Sequence, residues 1–160
     1  MAIKILTKFM TSPLMSWDIS NPIFNHRSKI SSDLENLNTL RNSNKWEIDF
    51  SKELSVNYQT LVLTDINQQI LWVNDGFQDM TGYSPDFALG KKPSFLQGIN
   101  TGTEVKNRIR NGLILGERIS ETITNYKKNG REYECLISII PLYDSNKRIT
   151  HYLALEREVA

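Results

Sequence analysis

The chain has 160 residues, 39% hydrophobic and 23% charged, which suits one globular domain with an appendage and argues against disorder. A formal net charge of +1 argues against nucleic acid or an anionic membrane surface as the main partner. One cysteine, Cys135, excludes an intramolecular disulfide and suits a reducing compartment. No stretch has the form of a signal peptide or the length of a membrane span, so a cytoplasmic location is expected.

Residues 1–30 lack clean periodicity, and Pro13, Asn21, Pro22 and Asn25 are expected to break any helix there. Leu14, Met15, Trp17, Ile23 and Phe24 are too apolar for a free tail and are expected to lie against something. Ser32-Asp33-Leu34-Glu35 reads as a capping box that opens a helix over about residues 32–42, with Leu34, Leu37 and Leu40 on one stripe. Residues 42–44 end it, and an extended piece over 46–50 leads into the main domain.

Short β-rich runs at 60–64 and 70–73 flank the polar residues 65–69, a hairpin signal. Residues 74–98, punctuated by Gly76, Gly82, Pro85, Gly90 and Pro93, read as short helices and tight loops. Thr101-Gly102-Thr103-Glu104 reads as a second capping box, opening a helix with Val105, Ile109 and Leu113 on one face. Glu104 and Arg108 form an i,i+4 pair on the other. Three β segments follow, at about 118–126, 132–142 and 148–158. Asn129-Gly130 joins the first two in a turn whose two central residues both need positive φ. The result is an α+β domain with a five-stranded antiparallel sheet, residues 53–160, behind an extension over 1–52.

From about residue 55 to 159 the order and wording of the chain resemble the PAS family: Leu63-Thr64-Asp65, Ile70-Leu71-Trp72-Val73-Asn74, Phe77, Met80-Thr81-Gly82-Tyr83-Ser84 and Gly90-Lys91-Lys92-Pro93. Phe95-Leu96-Gln97-Gly98 and Asn125-Tyr126-Lys127-Lys128-Asn129-Gly130 are closer to one branch, the LOV (light-oxygen-voltage) flavin photoreceptors. The resemblance implies short helices on one sheet face and a pocket beneath them. The branch's reactive cysteine corresponds to Pro93, which offers no nucleophile. Two of its asparagines correspond to Lys92 and Cys135, and its last-strand glutamine to Glu156. Gln97 and Asn125 keep the pattern.

If Asn125 faces the pocket, strand alternation turns Ile119, Ile123, Cys135, Ile137, Ile139, Tyr152, Ala154 and Glu156 inward as well. The candidate site is therefore Asn125, Glu156, Gln97, Cys135, Ile137 and Ile139, with Asn74 and Phe95 beside them. Such a chamber is either filled by its own side chains or open to a small molecule. Neither His26 nor His151 has ligand spacing, and residues 103–115 hold no histidine, so neither metal nor haem is expected. No cofactor is expected, flavin (FMN or FAD) being a disfavoured alternative. With no catalytic motif, the chain reads as a sensory module rather than an enzyme, working with a small molecule, a signalling partner or a second copy of itself. A flavin photoreceptor or redox sensor without adduct chemistry, and a ligand-free dimerisation unit, are the alternatives. Leu136, Ile140, Leu153 and Leu155 make the second sheet face apolar too, and the extension is expected to cover it.

Overall fold

The computed structural model describes residues 22–160, with side chains from His26 onward; the expected packing of Leu14, Met15, Trp17, Ile23 and Phe24 falls outside it. The first helix, α1, runs Pro22–Asn44, ten residues longer at its start than the capping box suggested. Pro22 begins this helix instead of breaking it, because the first helical position needs no amide donor and suits proline's fixed φ. Ser32 and Glu35 thus lie inside a helix rather than capping one. Residues 46–49 of the connector are not helical, with the Glu47 amide donating to the Tyr143 carbonyl, but Phe50 opens a short helix, α2 (Phe50–Glu53). The Asp49 side chain caps it by accepting from the Ser51 amide.

The remaining elements are β1 (Thr60–Asp65), β2 (Ile70–Val73), α3 (Gly76–Thr81), α4 (Pro85–Ala88), a 3-10 turn (Pro93–Leu96), α5 (Thr103–Leu115), β3 (Ile119–Tyr126), β4 (Glu132–Tyr143) and β5 (Ile149–Glu158). The strands form one antiparallel sheet in the order β2-β1-β5-β4-β3. Both faces are apolar. One buries Val62, Ile123, Cys135, Ile137, Ile139 and Tyr152 beneath the short helices and α5. The other buries Leu61, Leu63, Ile140, Leu142, Leu153 and Leu155 in a single cluster with Leu37 of α1, Trp46 and Phe50. The middle strand, β5, is accordingly buried on both sides from Tyr152 to Glu156.

The three hairpin turns share one geometry. In each, the first residue (Asp65, Lys127 or Asp144) accepts from the amide three residues on and donates to the carbonyl four residues on. The residue that closes the bend has positive φ: Gln68 at 64°, Gly130 at 85° and Lys147 at 61°. These are three-residue loops with a left-handed last residue, not the two-residue turn expected at Asn129-Gly130, so only Gly130 of that pair has positive φ. Where no glycine is present, an aspartate supports the strained position. Asp65 Oδ1 accepts from the amides of Asn67 and Gln69, and Asp144 Oδ1 accepts from those of Asn146 and Arg148.

Two further expectations change at α5. Thr101 does not cap the helix: its hydroxyl accepts from the Gly98 amide and donates to the Thr124 carbonyl, fastening the preceding loop to β3, while Gly102 takes the cap position. Arg108 does not pair along the helix with Glu104. It makes a two-pronged ion pair with Glu121 of β3, at 2.7 and 2.9 Å, the fork geometry a guanidinium and a carboxylate favour, while Glu104 acts on it only through its charge.

Candidate ligand chamber

Strand alternation places one row of each strand under the short helices. Val62 and Thr64 come from β1, Ile123 and Asn125 from β3, Ile137 and Ile139 from β4, and Tyr152, Ala154 and Glu156 from β5. The roof is the 3-10 turn with Gln97, closed on one side by Ile109 and Leu113 of α5. They enclose a chamber of about 110 Å³ whose walls are mostly aliphatic. Tyr152 is anchored, since its hydroxyl donates to the Leu113 carbonyl and ties β5 to α5.

One end of the chamber is polar. Glu156 is 3% exposed, and its carboxylate has the Cys135 thiol at 3.8 Å. Nearby cations are engaged elsewhere, for Lys127 and Arg131 both bind Glu158, at 2.6 and 2.7 Å. Burial therefore raises Glu156 to a pKa of about 7, against a small lowering from the thiol. Burial first and the Glu156 charge second push the Cys135 thiol far above its usual range. Tyr133, 2% exposed and two residues before Cys135 on β4, lies outside the lining, and its hydroxyl has no hydrogen-bond partner among the described residues. Burial and then the charge of Glu156 hold its phenol well above the ordinary value. Asn125 sits opposite Tyr133 in the β3–β4 register, near enough to act on that hydroxyl without meeting it in bonding geometry.

The other end is basic. A second hollow, of about 290 Å³, shares Gln68, Ser94, Gln97, Ile109 and Leu113 with the chamber and adds Lys92, Lys106 and Arg110. Lys106 and Arg110 are four residues apart on α5, on either side of Ile109, so one helix edge carries both cations beside an apolar wall.

Of the residues singled out in the sequence, Gln97, Asn125, Ile137, Ile139 and Glu156 all line the chamber. Cys135 is fully buried against Glu156 rather than part of the lining. Phe95 turns into an aromatic group with Tyr83 and Phe87, at ring separations of 5.1 and 5.8 Å. Asn74 lies apart from the chamber: its Oδ1 accepts from the Leu61 amide and its Nδ2 donates to Asp33 of α1, so it binds helix to sheet. Tyr133, Lys106 and Arg110 were missed, while Lys92 was noted only as the counterpart of a LOV asparagine. Alternation could have found Tyr133, two residues before Cys135. The cations needed the fold, because only the roof's position over α5 unites Lys92 with Lys106 and Arg110. Among the described residues no group of histidine, cysteine, aspartate and glutamate side chains could hold a metal ion, and no helix is long and apolar enough to cross a membrane.

A five-stranded antiparallel sheet with a small chamber under short helices defines a sensory class of domain. The family model described as "PAS domain" matches residues 59–159, and the chain belongs to the PAS domain family. It is 34% identical over 110 residues to phototropin-1B of Oryza sativa, covering 67% of this chain and 12% of that protein. It is 31% identical over 111 residues to a blue-light photoreceptor of Listeria innocua, covering 68% of this chain and 44% of that one. The chain thus spans less than half the length of these relatives. Among solved structures, the dark structure of the blue-light photoreceptor Aureochrome1 LOV is 31% identical with a TM-score of 0.67, covering 71% of this chain and 85% of that one. A LOV domain from a blue-light-activated histidine kinase of Erythrobacter litoralis is 27% identical, with a TM-score of 0.61, covering 66% of this chain and 98% of that one.

Proposed function

We propose that this PAS domain is a non-enzymatic sensor that takes a small molecule with a flat apolar body and an anionic tail. The observation that supports this reading is that two hollows adjoin at five residues lining both, one hollow apolar and the other edged by Lys92, Lys106 and Arg110. The apolar body fills the chamber, and the basic hollow favours a phosphate or carboxylate at its mouth. The chamber alone is smaller than the roughly 300–1,000 Å³ of ordinary ligand sites. Both hollows are therefore needed for a ligand of ordinary size. Residues 53–160 form the sensing unit behind an extension over residues 1–52 whose α1 lies on the outer face, and a change in packing passes to a second copy or another signalling protein in the cytoplasm.

A flavin nucleotide is the second reading. It is favoured by Gln97 and Asn125, the two positions that keep the LOV pattern, since both line the chamber. Those two side chains suit the polar edge of the ring, and the basic hollow suits its phosphate. Cys135 supplies no ring contact because it is spent on Glu156. Nor does this chain offer a thiol for a light-driven adduct: Pro93 lines the chamber where the branch has its cysteine, and Cys135 is buried with its thiolate disfavoured.

Denaturing the purified protein and identifying what it releases by mass spectrometry tests the first reading; an anionic, flat molecule is the expected finding. Titration with FMN and riboflavin tests the second. FMN should bind more tightly, and Lys106→Ala with Arg110→Ala should remove the difference. Release of nothing, together with no uptake of either flavin, would overturn both readings.

A further inference from the structure

Two buried polar groups, one at the inner end of the chamber and one behind its lining, lack what burial demands. The Glu156 carboxylate has only a thiol, a weak donor, at 3.8 Å, and the Tyr133 hydroxyl has no partner among the described residues. A buried polar group left in that state costs free energy, and a buried carboxylate without a cation costs more. The usual remedies are absent. Lys127 and Arg131 are committed to Glu158, and the surrounding strand residues Ile123, Ile137 and Ala154 are apolar. The opening toward this end is the chamber itself, which Glu156 lines.

We infer that the Glu156 end of the chamber is a specificity subsite for an aromatic heterocycle bearing an N–H donor, an amino group or a ring N–H, which the Glu156 carboxylate accepts. This rests on the reading that the chamber takes a small molecule, and it adds which edge of that molecule enters first. An ionised carboxylate only accepts, so an edge made of carbonyl oxygens or bare ring nitrogens meets acceptor with acceptor and is rejected. Tyr133, whose hydroxyl is wholly covered and outside the lining, stands behind the subsite and takes no part in the contact. The arrangement gives the ligand a direction: donor head against Glu156, anionic tail among Lys92, Lys106 and Arg110.

The inner subsite can be tested apart from the tail. A cavity of this size suits a single ring, since apolar cavities of roughly 150 Å³ bind benzene. Pyridine and 2-aminopyridine differ by one amino group, and both can be titrated into the full chain at pH 8, followed by amide and methyl NMR shifts. The amino compound should bind about tenfold more tightly, the value of one charge-assisted hydrogen bond. Glu156→Met, which removes the acceptor but keeps an apolar side chain of similar length, should abolish the preference; Glu156→Gln should reduce it. Tyr133→Phe should leave the preference unchanged and the free protein at least as stable, because it deletes an unpartnered hydroxyl that the chamber does not reach. Equal affinity for the two rings in the unaltered protein, or a preference that survives Glu156→Met, would overturn the subsite. Neither ring shifting any chamber resonance would overturn it as well. A donor preference without any anionic ligand recovered from the protein would uphold the subsite and sink only the tail assignment.

Discussion

The Cys135 thiol and the Glu156 carboxylate face each other at 3.8 Å on adjacent strands, both almost wholly removed from water. A thiol is too weak a donor to hold a carboxylate ionised in such a place, so burial decides its protonation. Glu156 is protonated at mildly acidic pH in the folded chain and ionised in the unfolded one. Below pH 4.5 both states carry the proton, and the contribution of this site to stability is fully present. As pH rises from 4.5 to about 7 only the unfolded state ionises, so stability falls across that window and levels off above it. The loss should be on the order of 3 kcal/mol. Glu53, Asp144 and Glu158 have lowered values and lose their contributions at more acidic pH, so the comparison must be with a variant. Chemical denaturation from pH 4.5 to 8 should show a falling component in the unaltered protein that Glu156→Gln lacks. Parallel profiles for the two proteins would show that the carboxyl reaches water.

The same pair predicts an inert cysteine. Cys135 is fully buried, and burial with the neighbouring carboxylate disfavours its thiolate, the reactive form. A thiol reagent such as DTNB should react with native protein only as fast as the chain opens, and at full speed in denaturant. Adding flavin and blue light should leave that thiol count unchanged. Rapid native labelling at pH 7, or a light-dependent loss of the free thiol, would contradict the packing described here.

What was legible in the sequence follows from which forces are local. Strand alternation is a property of the backbone, so once the family resemblance turned Asn125 inward, the rows from Ile123 to Asn125 and from Ile137 to Ile139 followed. The start of α1 could not: Pro22 ends one kind of segment and begins another, and only its neighbours decide. The same holds for Thr101, whose hydroxyl found a strand carbonyl instead of a helix amide, and for Arg108, which left its helix partner for Glu121. Asn74 was assigned to the chamber because it follows β2 in a family motif. Its side-chain amide instead meets Asp33, 41 residues away, a contact that no local pattern encodes.

That contact supports a prediction of its own. Asp33, 4% exposed within α1, accepts from the Tyr58 hydroxyl at 2.9 Å and from Asn74 Nδ2 at 3.0 Å, while Asn74 Oδ1 accepts from the Leu61 amide of β1. Removing the carboxylate leaves two buried donors unpaired, so Asp33→Ala should cost about 2–4 kcal/mol. Tyr58→Phe alone should cost less, since Asp33 keeps one partner. A double-mutant cycle should give a coupling of about 1 kcal/mol between the two positions. Additive effects in the cycle would mean that the hydroxyl and the carboxylate do not meet in solution.

The final prediction concerns the outer face of the sheet. Leu37 of α1 is 0% exposed and joins one cluster with Leu61, Leu63, Leu153 and Leu155, while Trp46, just past the helix, belongs to the same cluster and donates from its indole N–H to Thr150. Toward the start of α1, Lys29 Nζ donates to the Gln59 carbonyl at 2.6 Å, and a glycine at position 76 leaves the room: a Cβ there would lie 1.9 Å from that oxygen. The helix is thus fastened by packing in its middle and by polar contacts on either side. Leu37→Ala should cost about 2–5 kcal/mol, as expected for a large aliphatic lost from a closed core. Removing residues 1–44 does more, because each large aliphatic of the sheet that it uncovers loses roughly 1.5–3 kcal/mol of burial. The shortened chain should bind a hydrophobic dye such as ANS, and either aggregate or change its assembly state by light scattering. A monodisperse shortened protein with unchanged mass and melting behaviour would show that this face needs no cover from α1.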